Sequence, residues 1–236
     1  ARLLKECGWT NHSGYHLSGY GGVQTGIVRR LSLEVSFEEL YQHVFTPEAR
    51  RKSRNAAEAD LSVQEAESIE AFYDVYYETM RRKGSPQFPI QLFENAVKWF
   101  GDDFTIHTVM DGSEVIAGVT ALHTDDYCSM WTAGSYDSSR RAHANFLLYE
   151  NAIEKAARNA QSVIDFGRSE PGSGVDQFKR KFGGTSHQLV TFGYPPARTG
   201  RGDISGYKHM EPLSRKLSPV TTHERIGPKL KRFIHE

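Results

Sequence analysis

Cysteine is nearly absent from this sequence. Cys7 and Cys128 are the only two among 236 residues, too few and too far apart for a disulfide framework or a CxxC-type zinc site. Long apolar runs are missing too: nothing approaches the roughly 20 residues a membrane-spanning helix needs. The opening Ala1-Arg2-Leu3-Leu4 does not read as a secretory signal. These absences point to the reducing cytoplasm. Neither charge predominates, with 29 Lys and Arg against 29 Asp and Glu. Bulk electrostatics therefore draws the chain neither to nucleic acid nor to a membrane surface, and any polyanion must meet a local basic patch. No phosphate loop of standard spacing is found. Gly19 to Gly26 is glycine-rich, but it lacks both a lysine-serine ending and the GxGxxG spacing, so it reads as a surface loop. What is there is an ordinary globular composition, 38% hydrophobic and 25% charged, long enough for one large domain or one and a half smaller ones.

The pattern divides near residue 60. In the first part, residues 27–35 read as a strand, with Ile27, Leu31, Leu33 and Val35 apolar. Ser36 followed by Glu39 offers a helix start. Residues 47–59 read as a helix carrying Arg50, Arg51, Lys52 and Arg54, too polar all round for a core. One strand and two helices cannot close a core, so this region must lean on another. From Leu61 the pattern is fuller. Ile69, Phe72, Tyr73, Tyr76 and Met80 recur at helical spacing up to Gly84-Ser85-Pro86, and Leu92, Phe93, Ala96, Val97 and Phe100 mark a second helix. Three strands follow, over 104–110, 115–122 and 127–133, with a hairpin signal at Asp111-Gly112. A helix over 145–160, a buried strand over 162–166, a short helix over 175–182 and a strand over 188–192 complete the unit. Beyond Pro195-Pro196 the chain turns polar and basic.

A meander of strands followed by a crossover helix predicts an α+β fold, a mixed but mainly antiparallel sheet flanked by helices. That order resembles a GNAT-type domain, the fold of acyl-CoA N-acyltransferases. Four segments narrow the resemblance to FemAB-like proteins, especially the branch associated with exosortase and PEP-CTERM exopolysaccharide systems. They are Arg51-Lys52-Ser53-Arg54-Asn55-Ala56, similar to the basic helix linking that family's paired GNAT-like domains; Met80-Arg81 through Gly84-Ser85-Pro86; Ala144-Asn145-Phe146-Leu147-Leu148-Tyr149; and Asp165-Phe166-Gly167-Arg168-Ser169, followed by Phe178-Lys179 and Lys181-Phe182-Gly183. Ile226-Gly227-Pro228 also resembles the family's C-terminal end. The resemblance implies that residues 1–60 are the remnant of a first GNAT-like domain plus the basic linker helix. Residues 61–195 would then be a complete second domain and 196–236 a basic tail, the chain being a C-terminal portion of a longer family member.

It also implies an acyl- or aminoacyl-transferase that forms an amide on a peptidoglycan or exopolysaccharide precursor. In such a reaction the donor arrives activated, and the protein must align the reactants and stabilise an oxyanion. The matching catalytic position is Lys179, with Phe178 beside it. Substrate contacts would fall at Arg168, Ser169, Gly174, Arg81, Asn145, Tyr136 and Trp131. No separate cofactor is implied; the donor would be aminoacyl-tRNA or an acyl-CoA, with tRNA as a partner and Arg50, Arg51, Lys52 and Arg54 as its track. Residues 138–145 contain arginines but no glycine, so the Q/R-x-x-G-x-G/A loop of CoA-binding GNAT domains cannot be fitted there. Gly167, Gly172 and Gly174 suggest a turn with close backbone approach, and Ser173 opens a helix whose amides could meet an anion. His143, Asp165 and Asp176 are candidate bases, although Asp176 is also placed to pair with Arg180. His107 and His123 lie on neighbouring strands without a third ligand, so no metal is expected. Two other readings stand beside the leading one: a non-catalytic sugar- or polymer-binding component of an envelope assembly system, and an acyl-CoA-dependent N-acyltransferase.

Overall fold

The computed structural model describes residues 10–11, 26–66, 68–189 and 192–193. The tail from residue 194 and most of the glycine-rich loop lie outside the described residues. The elements run β1 (Thr10–Asn11), β2 (Gly26–Ser32), α1 (Phe37–Glu39), α2 (Pro47–Glu58), β3 (Ser62–Glu65), α3 (Ile69–Lys83), α4 (Ile90–Phe100), β4 (Phe104–Asp111), β5 (Glu114–His123) and β6 (Tyr127–Ser135). They continue as α5 (Asp137–Arg141), α6 (Ala144–Arg158), β7 (Val163–Ser169), α7 (Gly174–Arg180), β8 (Thr185–Leu189) and β9 (Phe192–Gly193).

Seven strands form one sheet in the order β3-β4-β5-β6-β7-β2-β8. Every neighbouring pair in it is antiparallel except β6 and β7, which run parallel. The fold is thus the mixed, mainly antiparallel GNAT-like α+β arrangement read from the sequence. β1 and β9 form a separate two-residue ladder.

Local chemistry accounts for most boundaries. Ser36 and Glu39 close a reciprocal capping box at the start of α1, which continues as a wide turn over Leu40–Val44. Thr46 caps α2 by accepting from the Ala49 amide, with Pro47 in the first turn. Gly84, at φ 65°, ends α3 in the left-handed conformation, where glycine carries no steric penalty. The pieces not foreseen include the two-residue strand β1, the edge strand β3, whose burial pattern is almost wholly exposed, and the short helix α5 between β6 and α6.

Helices cover both faces. α3 and α4 bury Phe72, Tyr76 and Phe93 against Phe104 and Ile106 of β4. On the other face α6 buries Leu148, Ala152 and Ile153 in a cluster that also holds Leu31, Phe45 and Ala49 from the first part of the chain. Each fully buried large side chain contributes about 1.5–3 kcal/mol relative to exposure. The strand and helices before residue 60 therefore lean on the rest, as they had to: β2 lies between β7 and β8, and α2 packs against α6.

Candidate active site

The site begins where two parallel strands part. β6 and β7 pair at Tyr127↔Val163, Cys128↔Ile164 and Ser129↔Asp165, and at no later position. Both continue, β6 to Ser135 and β7 to Ser169. The cause sits at Phe166-Gly167. Along the β2 side, Val28 faces Arg168 while Arg30 faces Asp165, so β7 carries one extra residue there. Such a bulge bends a strand. Gly167 has φ 72°, and a Cβ on it would stand 2.6 Å from the Met130 carbonyl oxygen of β6. Only glycine fits both conditions.

Side chains hold the parting in place. At the last paired position, Asp165 Oδ1 accepts from the Gly167 amide at 2.7 Å, while Oδ2 accepts from Tyr127 Oη at 2.6 Å and Arg30 Nε at 3.0 Å. From α7, Lys179 Nζ donates to the carbonyls of Gly167 (2.9 Å) and Arg168 (3.1 Å) and to Ser169 Oγ (2.9 Å). Its three protons are thus matched by three acceptors. Lys179 is 3% exposed, and burial brings its ammonium down to about 8. On the other side, Gly134 of β6 lets the α3 backbone approach directly, since a Cβ there would lie 2.6 Å from Tyr76 backbone atoms. Thr79 and Arg82 of α3 then bond the Ser135 backbone.

Two cavities open at the gap. The larger, about 590 Å³, includes Arg82, Ser135, Asn145, Phe146, Gly174 and Phe178 in its wall. The smaller, about 390 Å³, includes Met80, Phe88, Trp131, Gly167, Arg168 and Lys179. They meet at Lys83, Ala133, Tyr149 and Val175, which line both. Among the described residues neither wall contains a carboxylate, although Arg82 of the larger one pairs with Asp137 at 3.1 Å. Two adjoining spaces therefore meet at the parted strands, an arrangement with room for two ligands side by side.

The predicted residues distribute unevenly over this space. Lys179, Arg168 and Trp131 line the smaller cavity, and Phe178, Asn145 and Gly174 the larger. Phe178 also packs on Phe146, Tyr149 and Phe182. Ser169 is buried, and its hydroxyl accepts from Lys179. Arg81 faces away, paired with Glu78 at 2.6 Å; its neighbours Arg82 and Lys83 reach the cavities instead. Tyr136 lies against the core and lines neither cavity. Gly172 and Gly174 have open space around them, so the close approach expected of three glycines is a property of Gly167 alone.

One amide of the first turn of α7 is also taken, and one just ahead of it. Ser173 Oγ accepts from the Asp176 amide, and Asp176 Oδ2 accepts from Gly172. Asp176 pairs with Arg29 at 3.1 Å, a partner far in sequence. Of the candidate bases, His143 lines the larger cavity at φ 59°, while Asp165 and Asp176 line neither. His107 and His123 both meet Thr105 Oγ1, at 3.2 and 2.7 Å, and burial lowers His107 to about 4. No group of three potential metal ligands occurs among the described residues. On the basic helix, Arg50 bonds the Tyr41 and Phe45 carbonyls, while Lys52 pairs with Glu48 and reaches the larger cavity. The sequence reading missed Tyr149, Lys83 and Val175 as shared wall residues. The Ala144-to-Tyr149 motif was the available signal for Tyr149, whose hydroxyl burial raises above the usual tyrosine range.

A sheet whose two parallel strands part at a bulge, with a crossover helix between them, defines the acetyltransferase class of fold. The Acetyltransferase (GNAT) domain family matches residues 46–180, more than half of the sequence, and the chain belongs to that family. Comparison with curated protein sequences finds no match. Among solved structures the chain is similar to FemX, with TM-score 0.63, 16% identity, 89% of this chain covered and 70% of the other. It is similar to the C-terminal domain of a putative lysylphosphatidylglycerol synthetase from Agrobacterium fabrum, with TM-score 0.60, 9% identity and 81% and 63% covered. L-PGS from Bacillus licheniformis gives TM-score 0.57, 11% identity and 92% and 68% covered. At these identities the likeness is one of fold, and the chain spans about two thirds of each neighbour's length. Among the described residues no helix is long and apolar enough to cross a membrane.

Proposed function

We propose that this chain carries the transfer site of an acyl- or aminoacyltransferase that forms an amide on a cell-envelope precursor, a peptidoglycan or exopolysaccharide unit. The observation that carries the reading is the pair of cavities meeting at the parted strands, with cationic side chains in both walls. An acceptor amine attacks the carbonyl carbon of an activated ester. The C–N bond forms, the C–O bond to the donor breaks, the amine loses a proton and the leaving oxygen gains one. Such a site needs alignment and positive potential more than a protein nucleophile. The FemAB-like motifs around Lys179 and the fold shared with FemX support the envelope assignment, as does a neighbour named for an aminoacylated phospholipid. In this reading Lys179, with Phe178 beside it, supports the developing charge from the wall. Arg168, Ser169, Gly174, Asn145 and Trp131 shape the ligand surfaces, and Arg81 and Tyr136 contribute from outside the two cavities. Aminoacyl-tRNA fits as donor better than acyl-CoA, because α5 and His143 occupy the β6–α6 junction where a glycine loop would hold a pyrophosphate.

Mass spectrometry of envelope precursors from cells with and without the gene tests the reading. The expected result is a precursor that loses the mass of one acyl or aminoacyl group; identical precursors reject it. A gene encoding Lys179→Ala should behave as the deletion while the protein remains folded, and wild-type transfer by that variant removes Lys179 from the mechanism. A second reading draws support from the three protein acceptors around Lys179 Nζ. It makes the chain a sugar- or polymer-binding component, and predicts ligand binding without any change of precursor mass.

A further inference from the structure

We propose that the Tyr149 hydroxyl is the hydrogen-bond donor to the reacting carbonyl, holding its oxygen where the two cavities meet and stabilising the negative charge that forms on it. The inference rests on the aminoacyl-transfer reading above and names a catalytic residue of that site. Two observations carry it.

The first is a hydroxyl without a partner. Tyr149 is 7% exposed, yet its Oη makes no hydrogen bond to any described residue. Buried tyrosine hydroxyls usually find one. Nor is Oη one of the sealed polar atoms that lack a partner, so it opens on the space that the residue lines. That space is both cavities, at their meeting point. Three rings fix the side chain: Phe178 edge-on at 4.8 Å between centroids, Phe182 stacked at 5.5 Å and Phe166 at 5.8 Å. A donor held in this way needs no reorganisation when charge develops beside it. Burial also keeps the hydroxyl protonated, and so able to donate, throughout the neutral range.

The second is that neighbouring donors are already committed. Lys179 spends its three protons on Gly167, Arg168 and Ser169. Arg82 donates to the Ser135 carbonyl and pairs with Asp137, Lys52 pairs with Glu48, and the Asn145 amide donates to Ser135 Oγ. Lys179 therefore acts on the site as a fixed charge, and Tyr149 supplies the direct contact. As the amine nitrogen bonds the carbonyl carbon, the π pair moves onto the carbonyl oxygen. The Tyr149 proton stays on its own oxygen while its hydrogen bond strengthens. When the pair returns, the C–O bond to the donor breaks, and the leaving oxygen takes the proton that the amine gives up.

The test is titration calorimetry on the full chain and on Tyr149→Phe, with two stable analogues of an alanylated 3′ end. One is the planar amide 3′-deoxy-3′-(L-alanylamino)adenosine. The other is the 3′ ester of adenosine with (1-aminoethyl)phosphonic acid, whose tetrahedral, anionic phosphorus centre imitates the oxyanion. Both carry the α-amine and the nucleoside, so those contributions cancel. We expect the substitution to weaken phosphonate binding at least about tenfold and amide binding no more than about threefold, because a hydrogen bond to a charged acceptor is the stronger. Thermal unfolding of the variant should match or exceed that of wild type, since no bond within the protein is lost. An equal loss for both analogues, or no loss for the phosphonate, overturns the inference and leaves the aminoacyl reading standing. So does a wild type that binds the amide but not the phosphonate. A variant that fails to fold, or unfolds about 5 °C or more below wild type, also overturns it, because the hydroxyl then has a partner within the protein. Failure of both analogues to bind wild type at millimolar concentration instead overturns the aminoacyl reading, and the inference with it.

Discussion

The two ends of the β6–β7 pair differ more than their sequences suggest. At one end, Tyr127–Ser129 and Val163–Asp165 are matched residue for residue. At the other, the same strands continue without pairing and enclose the two cavities. Apolar content does not explain the change, since Met130 and Phe166, just beyond the last pair, are as buried as Cys128 and Ile164 before it. The difference lies in one glycine and two ionisable side chains. Gly167 allows a bulge against the Met130 carbonyl, Asp165 ties that bulge back to the paired end, and Lys179 satisfies the acceptors that β6 no longer meets. An opening in a sheet thus requires substitutes for the ladder it gives up, because buried backbone acceptors left unpaired cost free energy.

Three changes break or sharpen this contrast. Gly167→Ala acts on the bulge itself. It adds a side chain at φ 72° and places Cβ 2.6 Å from the Met130 oxygen. The expected loss is roughly 3–4 kcal/mol in urea unfolding. Retained stability would mean that β7 leaves β6 for another reason.

The next effect is one of pH. Lys179 sits at about 8 in the folded protein, against its usual 10.5. Between these values the unfolded chain binds more protons, so stability from this side chain rises with pH over that window and is lost as pH falls from 10.5 through 8. The full difference is at most about 3 kcal/mol. It is read as the stability of wild type minus that of Lys179→Met at a series of pH values, and a flat difference would show that the ammonium is not buried as described.

The smallest effect belongs to the paired end. Tyr127→Phe removes one of three bonds to Asp165 and leaves Arg30 and Gly167 in place. The expected loss is about 1 kcal/mol. Hydrogen exchange should quicken at the three paired positions and hardly change in β4 and β5; uniform quickening would contradict a local tie.

Much of the architecture was legible because it follows local periodicity. The apolar spacing of Phe72, Tyr76 and Met80, the Asp111-Gly112 hairpin and the Ser36–Glu39 box all appear as read. β3 was missed because Ser62-Val63-Gln64-Glu65 is an exposed edge segment whose only strong signal is its partner, β4. At the end of α3 the reading singled out Arg81 of a basic run, and it is the neighbours Arg82 and Lys83 that line the cavities. Arg81 and Arg82 are adjacent in sequence but about 100° apart around a helix, so one meets Glu78 and the other the cleft. Asp176 was read with Arg180 at helical spacing, whereas its partner, Arg29, lies on β2.

By itself, then, the sequence determined the α+β class, the order of its main elements and a motif from Asp165 to Lys179 that borders the candidate site, since hydrophobic period, turn chemistry and motif spacing are local properties. Only the tertiary structure decided that β2 enters the sheet between β7 and β8, that Lys179 turns its three protons onto β7, and that Asp176 pairs with Arg29 rather than facing a cavity. These depend on which distant groups meet when the sheet closes, and local spacing does not encode them.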